Sequence, residues 1–124
     1  MEQPHPSVSD SQTVDHEHQV QLHLMQALTA AIDQGGDVEE MLAQLADYSR
    51  AHFLSEELLM RLYAYPEYDD HVLDHEKMTE WLDEIAANVG ERAAMRHAAG
   101  ELTAVFRRHI DSRDHMLHDF LNRL

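Results

Sequence analysis

The chain has 124 residues, with 9 lysines and arginines against 24 aspartates and glutamates, a formal net charge of −15. That length suits one domain able to bury a core without staples, and the acid excess argues against phosphate backbones and anionic lipid surfaces as partners. With no cysteine, disulfides, thiolate nucleophiles, zinc ribbons and iron–sulfur clusters are excluded.

No apolar run approaches the ~20 residues that span a bilayer, so membrane insertion is not expected. The N-terminus, Met1-Glu2-Gln3-Pro4-His5-Pro6, lacks a basic region followed by an apolar stretch, so no secretory signal is read. A cytoplasmic location is expected, since the absence of cysteine suits a reducing compartment. Eleven histidines are the compositional feature that needs an explanation.

Residues 1–14 carry Pro4 and Pro6, Ser7, Ser9 and Ser11, and little apolar content, which predicts a flexible N-terminal arm. From Asp15, a plausible cap, a first helix runs to about Ile32 with His18, Gln21, Met25, Leu28 and Ile32 on one stripe. Gly35-Gly36 stops it, and Asp37 can cap a second helix carrying Met41, Leu45, Tyr48, His52, Glu56, Leu59 and Met60 until Tyr65-Pro66. The third helix shows His71, His75, Met78, Leu82, Ile85 and Val89 in register, and Asn88 to Gly90 close it.

A fourth helix starts near Glu91 and continues past His109 and Asp114 to Leu121, with Gly100 as a possible kink or break. No stretch alternates with period two, so no strands are expected. The prediction is an all-α, antiparallel up-down-up-down four-helix bundle over residues 15–124.

Seven residues of metal-ligand type recur on these stripes: His18, His52, Glu56, His71, His75, His109 and Asp114. His52/Glu56 and His71/His75 are i, i+4 pairs, which share one face of a helix. A lone histidine on an apolar stripe is usually a satisfied core residue. Here all four stripes carry one, and burying so many imidazoles and carboxylates without partners is expensive. A pair of metal ions would satisfy them together.

Two six-coordinate ions that share three bridging groups have six terminal positions between them. With Glu56, Asp114 and a solvent-derived oxygen as bridges, five histidines fill five, and one position stays open for a small ligand. Mixed imidazole and carboxylate donors in octahedral geometry suit iron or manganese better than structural zinc. A histidine-rich set favours the diferrous state, which argues for binding dioxygen rather than cleaving it.

The stretches Asp15-His16-Glu17-His18, His52-Phe53-Leu54-Ser55-Glu56-Glu57, Met60 through Tyr65-Pro66, His71-x3-His75 and His109-Ile110-x3-Asp114 resemble the hemerythrin family, specifically its bacterial hemerythrin-like domains. The resemblance covers about residues 15–121. It implies that His71, His75 and His109 bind one iron and His18 and His52 the other, with Glu56, Asp114 and an oxo or hydroxo group as bridges. Dioxygen, or nitric oxide or a small anion such as azide, would bind at the two-histidine iron.

His18 is chosen over His16 and His23 because it lies on the apolar stripe three residues after Asp15. His5, His97, His115 and His118 are read as solvated or locally structural.

The resemblance also implies an apolar pocket for the gas, lined here by Gln21, Phe53, Met60, Val105 and Ile110. Two of these depart from the family pattern: Gln21 replaces a bulky aliphatic residue, and Val105 a frequent tryptophan. Gln21 could simply turn its amide to solvent. If it faces inward, the pocket is wetter, water and protons reach the bound ligand, and oxidation to the diferric form is faster.

That favours a non-catalytic oxygen- or redox-sensing domain that autoxidises readily, with a signalling domain as a possible downstream partner. Oxygen storage or delivery is the alternative, and a di-iron peroxidase, oxidase or nitric-oxide-handling protein a more distant one, since no separate general acid or base is evident. The oligomeric state is left open.

Overall fold

The computed structural model describes the backbone of residues 6–124 and the side chains of residues 16–124. Its helices are α1 (Pro6–Gln34), α2 (Val38–Leu62), α3 (Tyr68–Ala87), α4 (Arg92–His109) and α5 (His115–Asn122), and α4 and α5 are joined by a π-helical turn, Ile110–Asp114. No strand occurs among the described residues. α1 and α3 each pack on both α2 and α4, the neighbour pattern of the predicted up-down-up-down bundle.

The connections are short because their sequences stop and restart helices efficiently. Gly35 takes a left-handed φ of 72°, and the N–H of Gly36 bonds back to the Ala31 carbonyl at 2.8 Å, closing α1. Asp37 then caps α2, its carboxylate accepting from the Glu40 N–H at 3.1 Å. At the other end of α2 the same wrap is made without glycine. Ala64 sits at φ 52°, and the Tyr65 N–H reaches the Met60 carbonyl at 2.8 Å. The helix therefore ends at Leu62, ahead of Pro66.

Three local expectations are corrected. α1 begins at Pro6, so residues 6–14 of the expected arm are helical and Asp15 lies inside the helix rather than at its cap; residues 1–5 of that arm lie outside the described residues. Gly100 causes no break, since α4 runs through it, and the departure from α-helical geometry comes instead after His109. Val89 is 40% exposed beyond the end of α3, off the buried stripe.

The stripes bury two apolar clusters of unequal size. The larger includes Leu28, Leu45, Leu82, Ile85, Leu102 and Phe106. The smaller, at the opposite end, is Met60, Tyr65, Leu117 and Leu121. Between them lies a layer of buried polar groups.

Candidate metal centre

That layer is built by all four rods of the bundle. α1 supplies His18, α2 His52 and Glu56, α3 His71 and His75, α4 His109, and the π-helical turn Asp114. All seven are buried, none more than 5% exposed. The structure thus brings together every candidate metal-ligating residue. His16, His23, His97 and His115 are exposed at the surface.

The offset between His109 and Asp114 is five residues, which in an α-helix would swing Asp114 about 140° away from His109. A π-helical turn absorbs the extra residue, because its i→i+5 bonding stacks residues five apart. Asp114 Oδ1 accordingly lies 3.1 Å from His109 Nε2. This is the only π-helical segment among the described residues.

The carboxylates divide their oxygens between two sets of imidazoles. Glu56 Oε1 lies 3.0 Å from His71 Nε2 and 2.9 Å from His75 Nε2, while Oε2 lies 3.3 Å from His52 Nε2 and 4.0 Å from His18 Nε2. Asp114 repeats the split: Oδ1 is 3.1 Å from His71 and His109, and Oδ2 is 2.6 Å from His18. One half of the cluster holds three histidines and the other two, with a carboxylate oxygen of each acid on either side.

In all five imidazoles Nε2 is the inward atom. For His52, His75 and His109 the outward Nδ1–H donates to a carboxylate on the preceding helix: Glu17, Glu57 at 2.9 Å and Asp74 at 3.1 Å respectively. An Nδ1–H held in this way fixes the tautomer and leaves the Nε2 lone pair facing the centre. His18 receives no such acid from the fourth rod; the His118 ring stacks on it instead, with centroids 6.2 Å apart. His118 is therefore half-buried beside the cluster rather than solvated.

Metal-ion chemistry fits these donors better than hydrogen bonding among themselves does. His18 Nε2, His109 Nε2, Glu56 Oε2 and both Asp114 oxygens are buried without a well-formed hydrogen bond, although neighbours stand close by. Such crowding of acceptors around common points is costly unless a cation occupies them. Four-residue groups able to converge on an ion are Glu56, His71, His75 and His109 on one side, and His18, His52, Glu56 and Asp114 on the other.

Without an ion, the same carboxylates reshape the acid–base behaviour. Burial alone would lower the His52 pKa, but Glu56 and Glu17 outweigh it and push the group up to about 9. His71, opposed by burial and supported by Asp114 and Glu56, also rises to about 9. Burial would raise Glu56 and Asp114, yet the histidines hold both below the usual carboxylate range.

A family model, the hemerythrin HHE cation-binding domain, matches residues 9–121. The chain belongs to the hemerythrin family. No curated protein and no solved structure matches it at significance. The resemblance read from the motifs is thereby shown over nearly the whole chain, and with it the metal-binding character of the hemerythrin domain.

The five expected pocket residues divide. Gln21 is fully buried, so its amide does not turn to solvent; Nε2 donates to Ser49 Oγ at 3.1 Å. Phe53 stacks on His75 with centroids 4.2 Å apart, and Val105 and Ile110 pack half-buried against the larger cluster. Met60 is not with them; it belongs to the smaller cluster on the other side of the polar layer.

Sequence reasoning missed Glu17, Glu57 and Asp74. Each is the chain neighbour of a cluster residue, and one residue turns a helix by about 100°, aiming the acid at the next rod. In a chain this acidic the signal is hard to see.

Proposed function

We propose that this hemerythrin domain holds two iron ions and binds dioxygen, as a cytoplasmic sensor of oxygen or redox state rather than an enzyme. The observation that carries the reading is the division of the Glu56 and Asp114 oxygens between a three-histidine and a two-histidine half. Both carboxylates can then bridge, and the two-histidine half has one protein donor fewer. Two ferrous ions in this setting, with an oxo or hydroxo bridge, would supply reversible dioxygen binding, and the position left open at the poorer half would take the gas, nitric oxide or a small anion.

The protein's own part is to aim five Nε2 atoms inward, three of them held by an Nδ1–H bond to an acid, and to close the layer from solvent with Phe53, Phe106 and Met78. Gln21 supports sensing over storage. A buried amide beside the two-histidine half offers protons and a foothold for water where an aliphatic side chain would offer none. Storage draws its support from the apolar character of the rest of that wall.

The test is the optical spectrum of anaerobically reduced, iron-loaded protein followed after mixing with air. An oxygenated band that decays within minutes to a diferric spectrum supports the sensor. A long-lived band reversible under vacuum would make the protein a store, and iron that shows no oxygenated band at all would remove dioxygen binding.

A further inference from the structure

Between the cluster and the larger core lies one fully buried residue from each rod, one helical turn from a cluster histidine. These are Gln21, three after His18; Ser49, three before His52; Met78, three after His75; and Phe106, three before His109. Because the rods alternate in direction, all four fall on the same side of the cluster, at a rise of about 4.5 Å from the histidines. The two on the three-histidine rods are apolar. The two on the two-histidine rods are polar and bonded to each other.

Glu56 and Asp114 approach from the other side, one turn further along α2 and the fourth rod, toward Met60 and Leu117. The face of the two-histidine half that the carboxylates leave uncovered is therefore the one roofed by Gln21 and Ser49. Packing gives no reason for polarity there. Gln21 Oε1 is buried and has no hydrogen-bond partner, so the pair is left incompletely satisfied inside an otherwise apolar layer.

We propose that Gln21 and Ser49 form a hydrogen-bonding roof over the open position of the two-histidine half, selecting small ligands with a hydrogen-bond-accepting or anionic end. This rests on the two-ion reading above. Ser49 can donate or accept, so turning the amide about its last torsion lets the hydroxyl donate to Oε1 and frees both Nε2 hydrogens for the ligand below. A hydrogen bond to a charged acceptor in this dry layer is stronger than one between neutral groups. The wall thus discriminates by charge and acceptor strength as well as by size.

The test is azide titration of the oxidised, iron-loaded protein, with iron per chain counted on the same samples. Gln21→Leu is expected to weaken azide binding about tenfold or more while retaining two irons, and Ser49→Ala to weaken it in the same direction by less. Gln21→Met, closer in volume, replaces the leucine variant if that one folds poorly. In the metal-free protein Gln21→Leu is expected to raise the melting temperature, because the unsatisfied amide is gone.

Azide affinity within about twofold of the parent in a two-iron variant would overturn the proposal, and a lowered metal-free melting temperature alongside it would make the pair structural. Failure of the parent protein to hold two irons would instead overturn the two-ion reading, and the iron count separates the two failures.

Discussion

Asp74 on α3 accepts a hydrogen bond from Nδ1 of His109 on α4 at 3.1 Å, although Asp74 is the chain neighbour of His75, itself in the cluster. Glu17 on α1 and Glu57 on α2 act in the same way toward His52 on α2 and His75 on α3. The first three rods thus each orient one imidazole on the rod that follows, and the bundle's order is written into the support of its polar layer.

These acids touch no atom of the inner cluster that would hold an ion, so their removal tests positioning; Glu57 tests it most cleanly, since Asp74 also pairs with Arg113 at 3.6 Å. Asp74→Asn and Glu57→Gln are expected to weaken metal affinity about 10- to 100-fold, with the helical content of the metal-free protein unchanged. Competition against a chelator of known affinity measures the loss, and retention of full affinity in both variants would contradict the role.

The π-helical turn makes a sharper prediction. Deleting Ser112, exposed within Ile110–Asp114, restores a plain α-helical offset of four between His109 and the displaced Asp114. Because the π-helical turn already absorbs one extra residue, removing one leaves the segment after it close to its parent facing, so Asp114 still faces His109 and the stripe of Leu117 and Leu121 stays on the core. The expected outcome is a helical protein that still melts cooperatively and retains its metal, read by circular dichroism and metal analysis. Loss of the metal with the helix intact would mean that the extra residue does more than restore the offset.

Gly100 lies exposed in an unbroken helix, and a Cβ added there meets nothing within 4 Å. Gly100→Ala is expected to stabilise the protein by about 0.5–1 kcal/mol, measured by denaturant unfolding. A destabilised variant would mean that the residue serves a bend after all.

Protons and metal compete for the same nitrogens. In the metal-free protein His52 and His71 are raised from 6.5 to about 9, so the stability they add is complete below pH 6.5 and is lost as pH rises through 9. Glu56 and Asp114 are depressed, so their contribution is present above their ordinary values of 4.5 and 3.8 and is lost as pH falls below them. An ion needs the imidazoles neutral. The melting-temperature gap between loaded and metal-free protein is therefore expected to widen from pH 6.5 to 9, and a gap that narrows would contradict the coupling.

The bundle and the inner cluster were legible because both depend on helical spacing, which the sequence displays directly: His52/Glu56 and His71/His75 are i, i+4 pairs on apolar stripes. What resisted reading depends on neighbours in space. Gln21 could have faced outward, and only the packing of α1 on α2 turns it to Ser49. Asp114 was counted on the stripe although its five-residue offset from His109 does not fit α-helical periodicity, and the π-helical turn is the physical reason it nonetheless faces the cluster. Gly100 stood as a possible kink or break because glycine often marks one, yet a solvent-facing glycine merely weakens a helix that packing holds. The acids at 17, 57 and 74 were lost among the many others of an acidic surface.

The division of two carboxylates between a three-histidine and a two-histidine half is the centre of this account. Metal analysis of protein produced with ample iron tests it most directly, with His18→Ala beside the parent. The account predicts two irons per chain in the parent and loss of the more weakly held ion in the variant, with the three-histidine half still occupied. A parent that binds a single ion, or a variant that still binds two with unchanged affinity, would contradict it.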